Sequence, residues 1–202
     1  MNNKNIFNAV VLACASALLA ACATTGPAPS QATVSPYRDS IELAGRLSVN
    51  YDKGGQPETL SGKFTWSQSP AAVDVALLSP LGQTIAKIRV TPESATLTQS
   101  DKTPRVARDI DSLTAQTLGW SLPVSGLRDW LQGVVTEQNG QKRIATPQDE
   151  NTDIVSADGW RIRYAAWDMS AAPRPRRIDL ARSTEEAGEV ALRLVVDSYE
   201  PR

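Results

Sequence analysis

The sequence predicts a mainly β domain with some α-helix: a strongly curved antiparallel sheet or open barrel, with helices covering its mouth or concave face. Three observations lead to this prediction. Apolar and polar residues alternate with strand-like spacing in both halves of the chain, turn residues separate consecutive strands, and helical spacing occurs only between the two halves, over about 110–132. Consecutive strands joined by short turns form antiparallel meanders, and an apolar sheet face needs a second layer to cover it.

The first two predicted strands form a hairpin. They cover 41–51 and 60–67, on either side of turn residues at 52–57. Both strands alternate with a period of two, so each has one apolar face. That face carries Ile41, Leu43, Gly45, Leu47, Val49 and Tyr51 from the first strand and Leu60, Gly62, Phe64 and Trp66 from the second.

A second hairpin is predicted from strands at 72–77 and 84–90, and a shorter strand at about 95–98 follows it. In the loop of this hairpin, Pro80 presets φ for a turn and Gly82 tolerates positive φ. Leu81 is unusual at a loop tip, where a large aliphatic side chain normally has nothing to pack against. Either it folds back onto the edge of the sheet or it points outward to meet an apolar partner such as lipid. The hairpin residues alone leave both interpretations open.

Two short helices are predicted in the middle of the chain. The first covers about 110–118 and ends at Gly119, and the second covers about 124–132 and ends at Gly133. Helices this short are not stable alone, so we expect them to lie on the sheet. Their spacing is set by Ile110, Leu113, Thr117 and Leu118 in the first helix and by Val124, Leu127, Trp130 and Leu131 in the second.

Strand patterns resume after loops at 139–140 and 148–151. Trp160, Ile162 and Tyr164 share one face, 178–180 is extended, and alternation over 190–196 predicts a last strand with Leu192 and Leu194 facing inward. The prolines and arginines at 173–177 allow two interpretations: a contact with anionic lipid, or a solvated edge strand stiffened by proline. The five tryptophans are more typical of a core than of a ligand site.

The start of the chain predicts export and lipidation. A basic segment and an apolar run over 6–19 have the form of a signal peptide, and Leu19-Ala20-Ala21-Cys22 resembles a bacterial lipobox. This resemblance implies a signal peptide over 1–21, cleavage before Cys22, acylation of that cysteine and delivery to the outer membrane. The alternative is an ordinary secretory signal with a chance cysteine. A flexible tether is expected up to 35, and a single domain over 36–202.

Composition argues against several classes of function. The chain has no histidine, and its only cysteine besides Cys22 is Cys14, which lies in the predicted signal peptide. Histidine-based catalytic dyads, thiolate sites and the commonest zinc ligand are therefore missing, and no nucleotide-binding glycine loop occurs. The 22 acidic and 21 basic residues give no overall basic surface for nucleic acid. We expect no enzyme activity, cofactor or metal.

Several motifs together resemble the LolB family of outer-membrane lipoprotein receptors. They span about 41–199 and comprise Gly45-Arg46-Leu47-Ser48-Val49, Gly62-Lys63-Phe64-Thr65-Trp66, Leu77-Leu78-Ser79-Pro80-Leu81-Gly82, Gly119-Trp120-Ser121-Leu122-Pro123-Val124, Leu127-Arg128-Asp129-Trp130-Leu131-Gln132-Gly133, Gly159-Trp160-Arg161-Ile162-Arg163-Tyr164 and Leu192-Arg193-Leu194-Val195-Val196-Asp197. The match is weaker over 136–153 and around the prolines and arginines.

The resemblance implies an incomplete β-barrel with an apolar interior and a helical lid. It also implies a receptor that takes lipoproteins from the periplasmic carrier LolA and inserts them into outer-membrane lipid without nucleotide, acting as a monomer that faces the periplasm. Leu81, flanked by Pro80 and Gly82, would hand the lipoprotein to the membrane. The candidate residues for an acyl-chain cavity are Leu43, Leu47, Phe64, Trp66, Val75, Leu77, Leu113, Leu127, Trp130, Leu131, Ile162, Leu192 and Leu194. The rival hypothesis is a scaffolding lipoprotein with a filled core.

Overall fold

The computed structural model describes residues 34–100, 102–118, 122–185 and 188–202. The predicted signal peptide, the predicted lipidation site Cys22 and the predicted tether as far as 33 lie outside these residues. The predicted end of the first helix at Gly119 also lies outside them. The described residues from 34 onward belong to one compact unit.

A ten-stranded antiparallel sheet dominates the fold. Its spatial order is β6-β5-β4-β3-β2-β1-β12-β11-β10-β9, so β1 pairs with β12 and joins the two halves of the chain. Ten strands belong to it: β1 (Ile41–Lys53), β2 (Gln56–Gln68), β3 (Val73–Leu78), β4 (Thr84–Val90), β5 (Ala95–Gln99), β6 (Arg105–Ala107), β9 (Asp153–Val155), β10 (Arg161–Asp168), β11 (Arg174–Thr184) and β12 (Gly188–Pro201). The sheet is curved and stays open, as the sequence predicts, because in the described parts β6 and β9 each pair with a single neighbour.

The elements between β6 and β9 lie outside this sheet. They are α1 (Ile110–Leu118), α2 (Val124–Trp130), a hairpin of β7 (Val134–Thr136) and β8 (Lys142–Ile144), and a 3-10 turn at Pro147–Asp149. Helix α1 packs against β5, β6 and α2, whereas α2 packs against β7. Among the described residues, no helix is long and apolar enough to span a membrane.

The core lies between the inner face of the sheet and the helices. Alternate residues of the long strands point into it, as the period of two requires. Trp66, Ile162 and Leu192 are buried on the sheet side, and Leu113 and Trp130 are buried on the helix side. These residues belong to one continuous apolar cluster, so sheet and helices share a single core.

The segment rich in proline and arginine forms the start of β11. At 174–176 this strand pairs with β10 alone within the described chain, whereas from Arg177 onward it pairs with β10 on one side and β12 on the other. Arg174 pairs with Asp168 at 2.6 Å and lies over the Tyr199 ring, and Arg177 pairs with Asp179 at 2.7 Å. The edge interpretation therefore fits 174–176, where one side of the strand has no partner strand among the described residues, and does not extend beyond Arg177, because long-range pairing with β12 covers the rest of β11.

Two glycines allow adjacent strands to approach closely. A Cβ atom on Gly62 of β2 would overlap the backbone carbonyl oxygen of Leu78 on β3. A Cβ on Gly45 would overlap the carbonyl oxygen of Val195 and would lie 2.9 Å from the Phe64 ring, at the point where the pairing of β1 with β12 shifts by one residue. Both positions require a residue without a side chain.

We predict that Gly62→Ala destabilises the protein, since the obstructing atom is backbone and cannot rotate away. An overpacked site of this kind costs about 1–3 kcal/mol in the free energy of unfolding. Urea denaturation followed by tryptophan fluorescence measures the loss. The exposed neighbour Ser61 on the same strand supplies the control, Ser61→Ala, which should stay within about 0.5 kcal/mol of the wild type. Equal stability of both variants would contradict the close approach.

Candidate functional site

An apolar cavity of about 100 Å³ lies between the inner face of the sheet and the start of α2. Side chains from four sheet strands, from α2 and from Leu122 just before α2 enclose it, and all of them are aliphatic or aromatic. Such a cavity offers dispersion contacts and no charge, which suits a hydrocarbon rather than a polar ligand. Its lining is Leu47, Val49, Tyr51, Leu60, Phe64, Trp66, Val75, Leu77, Leu122, Val124, Leu127, Leu192 and Leu194.

The structure places the candidate cavity residues in two groups. Leu47, Phe64, Trp66, Val75, Leu77, Leu127, Leu192 and Leu194 line the cavity. Leu43, Leu113, Trp130, Leu131 and Ile162 do not line it and are buried in the packed core instead. Residues of both groups share the same strand or helix faces, so alternation could not separate them.

Some lining residues were missed in the list of candidates. Val49, Tyr51 and Leu60 lie on the predicted apolar faces, so the signal for them was present in the alternation. Val124 likewise lies on the predicted helix face. Leu122 precedes α2, outside any periodic segment, and only the fold brings it to the cavity.

The loop between β3 and β4 projects Leu81 away from the protein. The backbone N–H of Ser79 donates to the carbonyl of Gln83 at 2.8 Å, and that of Gly82 donates to the carbonyl of Ser79 at 2.9 Å. Gly82 has a φ of 89°, which L side chains rarely adopt. The side chain of Leu81 is 91% exposed, the highest value among the large exposed apolar residues of the described chain. Leu81 therefore does not fold back onto the sheet.

The loop and the cavity lie at the same end of the sheet. Leu77 lines the cavity two residues before the loop begins. The neighbouring strand β2 continues past its pairing of Lys63 with Leu78 to Leu60, a lining residue that is 40% exposed. The described chain begins at the opposite end, where the backbone N–H of Ser35 donates to Pro173 at 2.8 Å in the turn between β10 and β11. The cavity, the partly exposed Leu60 at its rim and the exposed loop thus lie at one end of the sheet.

Polar contacts hold α2 and its C-terminal turn to the far end of the sheet. The Gln132 amide bonds the backbone N–H and carbonyl of Arg38 at 2.8 and 3.0 Å, and Arg128 donates to the carbonyl of Ser69 at 2.9 Å. The buried hydroxyl of Tyr164 donates to the carbonyl of Trp130 at 3.1 Å, and burial raises the pKa of that phenol far above its usual range. These bonds fix the end of α2 that lies away from the cavity.

Hydrogen bonds connect helix α1 to α2 and to the residues just before α2. Ser125 donates to the Asp111 carboxylate at 3.1 Å, and the backbone N–H of Leu122 donates to the buried hydroxyl of Thr114 at 2.9 Å. Burial raises the pKa of Asp111, and the bond from Ser125 opposes that shift. The two helices are therefore connected at the side where Leu122 and Val124 meet the cavity.

Ionic pairs cover the outer face of the sheet. Arg46 bonds Asp197 at 2.9 Å, Arg89 bonds Asp74 at 2.9 Å, and Arg163 bonds Asp153 at 2.7 Å. Exposed pairs of this kind each contribute at most about 1 kcal/mol. Within the described ranges, no cluster of acidic, histidine or cysteine side chains could hold a metal ion.

Comparison with known proteins covers nearly the whole domain. The family profile described as outer membrane lipoprotein LolB matches residues 39–199. An outer-membrane lipoprotein LolB from Cupriavidus necator is 39% identical over 188 residues, covering 91% of this chain and 92% of its own, and one from Ralstonia nicotianae is 36% identical, covering 94% and 95%. Among solved structures, a LolA superfamily protein from Nitrosomonas europaea is similar with a TM-score of 0.46 and 13% identity, covering 84% of this chain and 89% of its own.

The residue that caps the N-terminus of α1, Asp109, makes the stability of this helix depend on pH. The Asp109 carboxylate accepts bonds from the backbone N–H and hydroxyl of Ser112 at 2.7 and 2.9 Å, and these bonds lower its pKa below 3.8. A carboxyl with a lowered folded pKa contributes its full stabilisation above the unfolded pKa and loses it as the pH falls through the folded pKa. We predict that hydrogen exchange of the α1 amides speeds up as the pH falls below about 4, after correction for intrinsic exchange.

Asp109→Asn provides the matched control, because asparagine caps a helix without titrating in this range. The α1 amides of this variant should show a weaker dependence on pH. An unchanged pH dependence in the variant would show that another group controls α1.

Proposed function

The chain belongs to the outer membrane lipoprotein LolB family, and on that premise we propose that it is a lipid-anchored receptor of the outer membrane. It accepts lipoproteins from the periplasmic carrier LolA and inserts them into the membrane that it faces from the periplasm. The apolar cavity holds acyl chains, and Leu81 contacts the membrane. Cys22 carries the lipid anchor.

One observation carries this proposal: a nearly fully exposed leucine lies in the loop that directly follows a strand lining an apolar cavity. A single exposed leucine is ordinary on a protein surface. Here, however, Leu60 and Leu77 join the loop that bears Leu81 to the cavity, so an acyl chain leaving the cavity meets further apolar surface. That arrangement supports transfer between cavity and lipid.

The cavity is too small for an acyl chain in this conformation. It measures about 100 Å³, whereas an apolar cavity of about 150 Å³ is known to hold a molecule of the size of benzene. The proposal therefore requires α1 and α2 to shift away from the sheet when a lipoprotein enters. The contacts at Gln132 and Tyr164 tie down the far end of α2, so the shift would begin at the cavity side, near Leu122.

Transfer without nucleotide requires a favourable sequence of affinities. Burying one acyl chain is worth on the order of 10 kcal/mol, at about 0.8 kcal/mol per methylene. The contacts in a receptor must supply most of this free energy of burial, yet the receptor must bind the acyl chain less tightly than the bilayer does. A cavity that is partly filled by its own side chains meets both requirements, since opening it costs part of the binding free energy.

A scaffolding role is the second candidate. The small volume of the cavity and the continuous core are the observations that favour it. In that case the protein would bind a protein partner and no acyl chain.

We predict that acylated lipoprotein moves from loaded LolA to this protein without nucleotide. Native mass spectrometry would follow the transfer to the chain from residue 22 onward carrying Cys22→Ala, which has no lipid of its own. Unloaded LolA and a lipoprotein without acyl chains serve as controls. If neither lipoprotein nor free lipid binds, the scaffolding role replaces the receptor.

We predict that Leu81→Glu still accepts lipoprotein but fails to insert it into vesicles, because a carboxylate at the loop tip resists burial in hydrocarbon. Insertion should fall by at least about tenfold, as expected for about 1.4 kcal/mol or more. Sedimentation of vesicles with labelled lipoprotein measures it. Met169→Glu, which changes an exposed apolar residue (55% exposed) in the turn between β10 and β11, is the control. Equal insertion by both variants would contradict the role of Leu81.

A further inference from the structure

Two lysines lie on the outer face of the sheet directly behind the loop that carries Leu81. Lys63 on β2 pairs in register with Leu78, the last residue of β3, and Lys87 on β4 pairs with Ala76. Both side chains are exposed. Lys63 is therefore level with the end of β3, where the loop begins, and at about 3.3 Å per residue Lys87 is set back about 7 Å further.

These lysines differ from neighbouring basic residues because they lack acidic partners. Arg46, beside Lys63, is paired with Asp197, and Arg89, two residues beyond Lys87, is paired with Asp74. Within 34–100, 102–118, 122–185 and 188–202, neither lysine forms an ion pair. The residues directly across from them on adjacent strands are Arg46 and Leu78 for Lys63, and Ala76 and Thr98 for Lys87, none of them acidic. Both positive charges are available to an external anion.

An apolar side chain lies between the levels of the two lysines, because Lys63 is level with Leu78 and Thr84, and Ile85 follows Thr84 on the way to Lys87. Ile85 is 42% exposed at a β-bulge, where the pairing of β3 with β4 shifts by one residue. A bulge redirects a side chain, and here it leaves Ile85 partly in solvent. From the tip inward, β2 and the hairpin thus present Leu81 first, then Lys63, then Ile85 and finally Lys87. An apolar tip followed by lysines matches the layers of a bilayer surface, with hydrocarbon inside and phosphates outside.

We propose that Lys63 and Lys87 bind the phosphates of anionic lipid headgroups when Leu81 enters the acyl layer. The proposal rests on the proposed membrane contact of Leu81 and extends it. Binding at these lysines would orient the hairpin so that the rim at Leu60 faces the bilayer. Without them, Leu81 could still touch the membrane, but the orientation would be less fixed.

Vesicle binding of four proteins tests this site. The wild type, Leu81→Glu, the double variant Lys63→Gln/Lys87→Gln and the control Arg89→Gln would each be prepared from residue 22 onward with Cys22→Ala. The vesicles are pure phosphatidylcholine, or phosphatidylcholine in which one lipid in five is phosphatidylglycerol. Arg89→Gln removes one positive charge from the same strand, but at a paired position further from the tip.

The double variant should bind the anionic vesicles about 25-fold more weakly than the wild type, or about fivefold for each lysine, and should bind the neutral vesicles equally well. Raising the salt from about 0.1 M to about 1 M should remove the wild-type preference for anionic vesicles. Arg89→Gln should change vesicle binding less than twofold, because the charge of Arg89 is already paired with Asp74.

Three results would overturn the proposal. If the double variant and Arg89→Gln lose the same affinity for anionic vesicles for each charge removed, net charge alone matters. Unchanged vesicle binding with slower transfer from LolA would assign the lysines to the carrier instead. An equal loss of binding to neutral vesicles, in a double variant whose urea denaturation midpoint matches the wild type, would mean that the lysines do not act through anionic phosphates. The membrane contact of Leu81 is tested separately. If Leu81→Glu binds both kinds of vesicle as tightly as the wild type does, that contact is refuted, whatever the lysine variants show.

Discussion

The structure depends on the need to cover one apolar face of an open sheet. The ten strands bring their large inward side chains together, and burying each such side chain is worth about 1.5–3 kcal/mol. The cover is supplied by helices of nine and seven residues, neither of which would persist in water alone. Sheet and helices are therefore stable only together, and the contacts between them decide where the interior is full and where it is not.

The mismatch in length between these layers explains the cavity. Strands β1 and β2 have 13 residues each, which corresponds to about 43 Å at 3.3 Å per residue. Helix α2 is about 10 Å long at 1.5 Å per residue, and its C-terminal end is tied to Arg38 and Ser69. Cover is thus complete where Trp130 and Ile162 are buried, and it runs out toward Leu60 and the loop of Leu81.

The two faces of the sheet then carry separate tasks. The inner face is apolar, and its open end meets the exposed loop. The outer face carries charges that are mostly paired, so that its arginines are occupied by the carboxylates across from them. Lys63 and Lys87 break this pattern next to the loop, which is why the hairpin of β3 and β4, together with its neighbour β2, combines an apolar tip with available positive charge.

The sequence by itself determined the long strands, the two helices and the loop that bears Leu81, because each of these follows from local spacing or from turn residues such as Pro80 and Gly82. It did not reveal β6 to β9, since three residues are too few to show a period. It also did not reveal that β11 pairs on both sides from Arg177 onward, because the pairing of β11 with β12 and of β12 with β1 is long-range. Only the tertiary structure separated Leu47, which lines the cavity, from Leu43, which is packed in the core on the same face of the same strand. Alternation reports which face a side chain is on, whereas the position of a helix across that face decides whether the space beside it is filled.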